Sequence, residues 1–523
     1  MFPQTLDIEG CTERPKKEYI QSRLQGRTYR LASGVRLVEG EQHCFLLRTY
    51  PLKAARLAES FASILRRLEN EGPQSPESLV ALLPSVDETS LDHFLYRLEK
   101  MGFLESSGLA LHQPLPTVSV VIPVRNRPAD IKRCLESLLK VEYPTEKLEI
   151  VVVDDASEDE TADVVTHFPV ILERMSERQG ASACRNRGER HAKGLILLFL
   201  DSDCVVDSKW LLEIVSVFGD PQVGAAGGLV DSYDDNGPLN RYEKVKSPLH
   251  VEIRCTDSSL RSRFFYVPSC NFAVRRDLFL KLGGFNEDLD VGEDVDFCWR
   301  IMDSNRSIEF RPSARVLHRH RNQLVPFCLR RFEYGTSEPL LQALHPERRK
   351  TFALMPAAVC FWLLLSVAFL AAPMASILAA GTVLGDTLTR RRSARDLGIR
   401  ISVTLTLLAV FRSYLSFVYR VCSFISRYYL IVATFLAPAF PVAAAAIWLA
   451  HVGVGVVEFS LRKPQINLLY FLGLFSLEQI SYQSGVWCGC FKQKFFLPVF
   501  PRLSVYGSRR KVPAPGSPKR GSQ

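Results

Sequence analysis

At 523 residues the chain has room for three structural units. Its thirteen cysteines are an odd number with no pair of CxxC motifs, which argues against a zinc site and against a disulfide framework. The net charge of +9 is concentrated after residue 320, next to long apolar runs, and Met1 to Arg30 is too polar for a signal peptide.

After an N-terminal segment, residues 1–26, a small unit is expected over 27–112. Two short β-like runs lie around Val35–Val38 and Cys44–Arg48. A helix follows, with Leu57, Phe61, Ile64, Leu65 and Leu68 at helical spacing, then a short one at Ser78–Leu83. A third is expected to start in the capping box Ser85-Val-Asp-Glu88 and to align Leu91, Phe94, Leu95 and Leu98. Gly102 ends it, and Leu109–Leu111 reads as a wing strand. This is a winged-helix pattern. Between Lys53 and Leu111, six Lys/Arg face nine Asp/Glu, a poor balance for displacing phosphate counterions, so nucleic acid is excluded as a partner.

Residues 116–340 read as alternating strands and helices. Val118–Ile122 ends in Pro123-Val-Arg125-Asn-Arg127, and a helix follows with Ile131, Leu135, Leu138 and Leu139 on one face. Leu148–Val153 ends in Asp154-Asp155-Ala-Ser157, and Ser157–Glu160 has capping-box form. The wholly apolar run from Leu195 ends in Asp201-Ser202-Asp203. Strand–helix alternation predicts an α/β fold with a parallel sheet, whose strand ends bring Arg125, Asp155, Asp201 and Asp203 to one edge. Alone, Asp-Ser-Asp reads more readily as a polar turn, since short motifs recur by chance. In this company, two carboxylates one residue apart predict a cation between them, because like charges repel. Hard Mg²⁺ or Mn²⁺ favours such oxygens, usually shared with substrate phosphates. No GxxxxGK[ST] or GxGxxG sequence is present to hold phosphates by a glycine loop.

The third unit, 350–490, is apolar. Phe352–Gly385 holds no Asp, Glu, Lys or Arg, and neither does Tyr428–Val457. Each is longer than the ~20 residues one span needs and shorter than two spans. Pro373 splits the first, and Pro438 and Pro441 split the second. A tilted helix, a tight hairpin and a re-entrant segment all fit. Between them Arg412, Arg420 and Arg427 recur among aromatic residues, which suits an interfacial helix. Basic flanks at 348–350 and 390–395 favour the cytoplasmic side. The tail, 491–523, carries eight Lys/Arg and no acid, and is expected to be partly disordered.

The central unit resembles the family 2 glycosyltransferases of the GT-A fold. The resemblance rests on VSVVIPVRNR, VVVDDAS (151–157), GASACRNRG (180–188), LFLDSDC (198–204), SCNFAVRRDLF (269–279), GGFNEDLDVGEDVDFCWR (283–300) and VLHRHR (316–321). It implies a nucleotide-sugar donor lying along Pro123, Arg125, Asp155, Arg185, Asp201 and Ser202. It also implies a Mg²⁺ or Mn²⁺ ion on Asp201 and Asp203, and Asp294 as catalytic base. Inverting transfer needs a base for the acceptor hydroxyl and a cation for the departing diphosphate. Asp294 is expected at a helix N-terminus, where the dipole keeps it ionised. Glu293 ranks second, as a group that orients the acceptor. His318 is the third candidate metal ligand, beyond the last sheet element, with His320 as its rival. Arg330–Gly335 reads either as a segment that closes over the site or as a basic surface turn.

The N-terminal unit resembles PqqD-like elements, which take a peptide as an added strand. Together the three units resemble the mycofactocin-system glycosyltransferases. That resemblance implies a metal-dependent hexosyltransferase that uses UDP-glucose, with mycofactocin or its precursor peptide as acceptor. It would work at the cytoplasmic face of the bacterial inner membrane, in contact with membrane lipid. Two alternatives stay open: a glycosyltransferase of envelope polysaccharide or lipid synthesis, and an inactive peptide-binding scaffold.

Overall fold

The computed structural model describes residues 27–505, apart from 40–43, 50–51, 58, 83–90, 92–93, 96–97, 100, 108–113, 251–264, 321 and 397–400. The N-terminal strands are β1 (Thr28–Leu31), β2 (Val35–Glu39), β3 (Cys44–Thr49), β4 (Leu52–Leu57) and β5 (Leu104–Ser107). The central strands are β6 (Val118–Val124), β7 (Leu148–Asp154), β8 (Ile171–Arg174), β9 (Ile196–Leu200), β10 (Cys204–Val206), β11 (Val223–Ser232), β12 (Asn271–Arg275) and β13 (Ser307–His318). These eight form one sheet in the order β10-β13-β11-β12-β9-β6-β7-β8. The predicted parallel pairing holds for β9-β6-β7-β8. Beyond β9 the sheet is mixed, because β12 enters antiparallel between β9 and β11, and β10 pairs antiparallel with β13.

Alternation along the central strands feeds a core on each face of the sheet. Val120, Ile122, Val152, Leu198 and Leu200 point into one. There they meet α-helices at Pro128–Leu138 and Trp210–Val215 through Ile131, Leu135, Leu138 and Trp210. Val121, Val151, Val153 and Phe199 point into the other, against Phe279, Phe297 and Ile301. Leu139 was expected with the first set, but it is the C-cap of its helix and is exposed. The capping box at Ser157 does not form. The Ser157 hydroxyl and amide both donate to the buried Asp154 carboxylate, and the helix starts at Thr161. Burial of Asp154 makes that partner more valuable than a helix cap.

The N-terminal residues have a core of their own, built from Tyr29, Leu46, Ile64, Leu65, Leu79, Phe94, Leu95 and Leu98. Strands β2, β3 and β4 form an antiparallel sheet, and β1 pairs with β5. Helices cover Glu59–Glu71 and Pro76–Val80. Leu57, assigned to the first helix from its spacing, is the last residue of β4. The capping box at 85–88, the wing strand at 109–111 and the segment 1–26 lie outside the described residues.

The C-terminal part is helical: Leu324–Leu344, Pro356–Leu370, Ala375–Asp396, Val403–Leu436, Pro441–Arg462 and Leu468–Gln493. Pro373 and the Pro438/Pro441 pair separate helices, as proline's missing N–H requires. Val403–Leu436 and Pro441–Arg462 are long and apolar enough to cross a membrane. Arg412, Arg420 and Arg427 lie on Val403–Leu436, a helix that also takes in the start of the second apolar run. Arg330 and Arg331 are not on a surface turn but inside the helix Leu324–Leu344. The chain stays ordered beyond 490: the last helix runs to Gln493, and β15 (Arg502–Val505) pairs with β14 (Thr351–Leu354). Residues 506–523 lie outside the described residues.

Helices Leu324–Leu344 and Leu468–Gln493 touch backbone to backbone through glycines. A Cβ on Gly335 would lie 2.1 Å from the Tyr482 carbonyl oxygen, and one on Gly485 2.0 Å from that of Phe332. Gly335→Ala is therefore expected to cost about 3 kcal/mol, read as a lower thermal midpoint, because backbone cannot move aside like a side chain. Gly381→Ala, where nothing lies within 4 Å, is expected to be neutral or slightly stabilising.

Candidate active site

A cavity of about 1460 Å³ opens at the carboxyl ends of the parallel strands. Neighbouring β7, β6 and β9 end there, delivering Asp155, Pro123 with Arg125, and Asp201-Ser202-Asp203. Because β12 runs antiparallel to β9, its start also faces this edge and brings Ser269. Strand β13 brings His318 opposite Cys204. Arg185, Glu293 and Asp294 line the same cavity, so every sequence-derived candidate shares it.

One wall carries Asp203. Its Oδ1 lies 3.2 Å from His318 Nε2, and its other oxygen accepts from Arg127 Nη1. Burial works against its charge, but His318 and Arg127 outweigh it and hold the carboxyl below the usual carboxylate range. Asp203 Oδ1 and His318 Nδ1 are buried without a hydrogen-bond partner among the described residues. A buried, ionised carboxylate beside an imidazole nitrogen is the donor chemistry a divalent ion takes, so these residues fit one. His318 is the last residue of β13 rather than lying beyond the sheet. Its rival His320 turns instead toward Glu243, 3.8 Å away, and burial with the charges of His318 and Arg331 pushes it down to about 3.

Arg185 is 3% exposed and clamped: it donates to Asp201 Oδ1 at 2.7 Å and to Glu293 Oε1 at 2.9 Å. Asp155 holds the loop entering the Arg185 helix, accepting from the Gln179 and Gly180 amides at 2.7 and 3.0 Å. Arg125 pairs at the rim with Glu158, 3.2 Å away. Ser202 is buried behind the two aspartates.

Opposite stands Asp294, in the first turn of Glu293–Asp303. Gly292 caps this helix with φ of 88°, a backbone state that favours glycine, and a Cβ there would lie 2.9 Å from Leu341 Cδ1. Asp294 accepts from the amides of Ser269, 3.3 Å, and Val295, 2.8 Å. The expectation that the dipole keeps Asp294 ionised at low pH is corrected here. Burial, then the charge of neighbouring Glu293, outweigh these amides and Arg185, and raise Asp294 to about 7. Sequence reading missed Ser269, whose amide serves Asp294 while its hydroxyl donates to Glu293 at 3.2 Å, and Arg127. The pair Arg125/Arg127 ahead of a helix-starting proline was the available signal for the second.

The far wall comes from the C-terminal helices. Arg331, buried, donates to Glu243 at 2.6 Å. Arg427 lies 3.6 Å over the Tyr482 ring, and Glu338 accepts from Tyr428 and Tyr482. The cavity thus has a carboxylate-rich sheet side and an aromatic, mixed-charge helix side.

Residues 119–283 match the sequence profile described as "Glycosyl transferase family 2". A pre-mycofactocin glycosyltransferase of Mycobacterium tuberculosis is 30% identical over 398 residues, covering 74% of this chain and 82% of that protein. Glycosyltransferase AglE of Haloferax volcanii is 33% identical over 201 residues, 38% of this chain and 64% of that one. Among solved structures, mannosyltransferase PcManGT from Pyrobaculum calidifontis, in complex with GDP-Man and Mn²⁺, is 21% identical with a TM-score of 0.37 over 59% of this chain and 90% of that one. The matched sequence motifs, the mixed sheet of the GT-A fold and the long match to the mycobacterial enzyme agree, and the chain belongs to the mycofactocin-system glycosyltransferases of glycosyl transferase family 2.

Proposed function

We propose that this glycosyltransferase is an inverting, divalent-metal-dependent hexosyltransferase, which moves a sugar from a nucleotide sugar onto mycofactocin or its precursor peptide, with UDP-glucose as the expected donor. The observation that carries the reading is the gathering of Asp155, Asp201, Asp203 and Asp294 with Arg185 in one cavity at the edge of the sheet. Asp203 and His318, with Asp201 adjacent, would hold Mg²⁺ or Mn²⁺, whose charge offsets that building on the departing diphosphate. Arg185 adds a fixed positive charge, preorganised by its two carboxylates. Asp294 faces this group and takes the proton of the attacking hydroxyl, while the Ser269 amide fixes its orientation. Glu293 tunes Asp294 and locks Arg185.

In the same reading, 116–340 is the catalytic unit and 27–112 captures the acceptor. Strands β2 and β4 are edges of their three-stranded sheet, the geometry by which a peptide adds a strand. Residues 350–490 hold the protein on the bacterial inner membrane, facing the cytoplasm. Phe435 and Val442 are 81% and 82% exposed at the turn between the two long apolar helices, which lipid would cover. The test is to incubate purified protein with the precursor peptide and a panel of nucleotide sugars, and to read the peptide's mass. A hexose increment with UDP-glucose is the expected result. Transfer to lipid extract alone would overturn the acceptor. Removing residues 1–112 is expected to abolish transfer to peptide while donor hydrolysis persists.

A pH profile follows from Asp294. Because the base must be ionised, kcat/KM is expected to climb tenfold per pH unit below about 7 and level off above it. Glu293→Gln removes the second cause of the raised value, so the break is expected at lower pH. A break that does not move would refute the coupling.

A further inference from the structure

Two of the arginines that line the cavity beside its carboxylates behave differently. Arg185 is clamped between Asp201 and Glu293 and is 3% exposed. Arg127 reaches one carboxylate, Asp203, and its side chain is 39% exposed. Its backbone is pinned, since its amide donates to Thr161 Oγ1 at 2.8 Å just ahead of the helix Pro128–Leu138. A fixed Cα with a long, half-open side chain is the geometry of a group that can swing. The carboxylate it holds is the one whose other oxygen is buried, without a hydrogen-bond partner among the described residues, 3.2 Å from His318.

We propose that Arg127 is a displaceable counter-ion: it neutralises Asp203 when the site holds no ligand, and it turns to the donor's diphosphate when a divalent cation takes Asp203. This inference rests on the assignment of Asp203 and His318 as metal ligands. The argument is electrostatic. Asp203 Oδ1 is buried, and a buried carboxylate oxygen with no cation beside it is costly, so a cation is favoured there in every state. A guanidinium and a divalent ion on the same carboxylate repel each other strongly at such range. The incoming nucleoside diphosphate brings the negative charge that the freed guanidinium needs, and arginine's planar fork suits phosphate oxygens. Metal and nucleotide should therefore bind as a coupled pair, with Arg127 carrying part of the coupling.

The test measures Mn²⁺ binding, by the electron paramagnetic resonance signal of free Mn²⁺, to the full-length protein, alone and with UDP or GDP in turn. Arg127→Ala is expected to bind Mn²⁺ alone about fivefold tighter or more than wild type, because the competitor is gone. In wild type a nucleotide should tighten Mn²⁺ by a larger factor than in Arg127→Ala. Arg127→Lys, which keeps the charge, should fall between the two. Arg319→Ala serves as the control: Arg319 also lines the cavity, but its side chain pairs with Asp130, 3.1 Å away. It should change Mn²⁺ affinity by less than about twofold. The proposal is overturned if Arg127→Ala binds Mn²⁺ no tighter than wild type, if Arg319→Ala tightens it equally, or if nucleotide coupling is the same in wild type and Arg127→Ala. An Asp203→Ala arm separates the two levels of the argument. If it binds Mn²⁺ as wild type does, the metal assignment itself fails.

Discussion

Asp203→Ala is expected to abolish metal-dependent nucleotide binding and to lower turnover by about a thousandfold or more, the several kcal/mol that a cation contributes to a departing diphosphate. Asp203 is the carboxylate placed against His318, and it is held ionised despite its burial. The substitution removes the one charge that both His318 and Arg127 face. Asp201 is committed to Arg185, so Asp201→Ala is expected to act differently, by freeing Arg185 as well as by weakening the cation site. Asp203→Asn keeps the shape and should leave the fold intact while failing in the same way. The measurement is nucleotide affinity with Mn²⁺ and with a chelator. Wild type with chelator should match Asp203→Ala with or without metal. A variant that keeps its Mn²⁺-dependent gain in affinity would remove Asp203 from the metal site.

The catalytic half of the sheet was legible because its strands announce themselves. Strands β6 and β7 are short runs rich in β-branched residues and β9 is wholly apolar, each stopped by polar residues, and parallel neighbours with helical crossovers follow from that pattern. Their ends mark the cavity, so Arg125, Asp155, Asp201 and Asp203 could be placed at one edge from spacing alone. The mixed half was not legible. The pairing of β12 between β9 and β11 joins segments more than 40 residues apart, and no local pattern encodes such a partner. Side-chain reach was also hidden. Arg125 and Arg127 look alike in sequence, yet the first pairs with Glu158 at the rim and the second with Asp203. Charge state failed for a related reason. A helix N-terminus at Asp294 is readable, but the burial and the Glu293 carboxylate that outweigh it arise from packing. In the C-terminal part the prolines correctly marked breaks between helices. The arginines between the apolar runs suggested a helix, and the chain carries them within one 34-residue helix that runs on into the second apolar run, where Arg427 finds the Tyr482 ring.

Asp294→Asn should leave donor binding near wild type and lower kcat by about a hundredfold to ten-thousandfold, the range that a positioned general base contributes. The amide has the shape of the carboxyl, and its one oxygen can keep the shorter bond from the Val295 amide, but its NH2 cannot accept from Ser269, so the first turn of Glu293–Asp303 keeps one of the two bonds. What it loses is the capacity to take a proton. The raised value near 7 makes Asp294 a stronger base than an ordinary carboxylate, half ionised near neutral pH and ionised above it. It also carries a stability signature. A folded carboxyl that holds its proton up to about 7, against the ordinary value of 3.8, favours the fold at low pH, and that contribution is lost as pH rises from about 4 to about 7. In Asp294→Asn this part of the pH dependence should vanish, so the difference in stability between variant and wild type should grow in the variant's favour across that window. Three readouts then separate a base from a helix-starting residue. Nucleotide affinity should hold, kcat should collapse, and the acid limb of any residual rate should no longer break near 7. Loss of nucleotide affinity together with a lower melting point would mean that Asp294 merely supports the helix start. Turnover at near wild-type rate would mean that another group takes the proton, and Glu293, on the same cavity wall, would be the next to test.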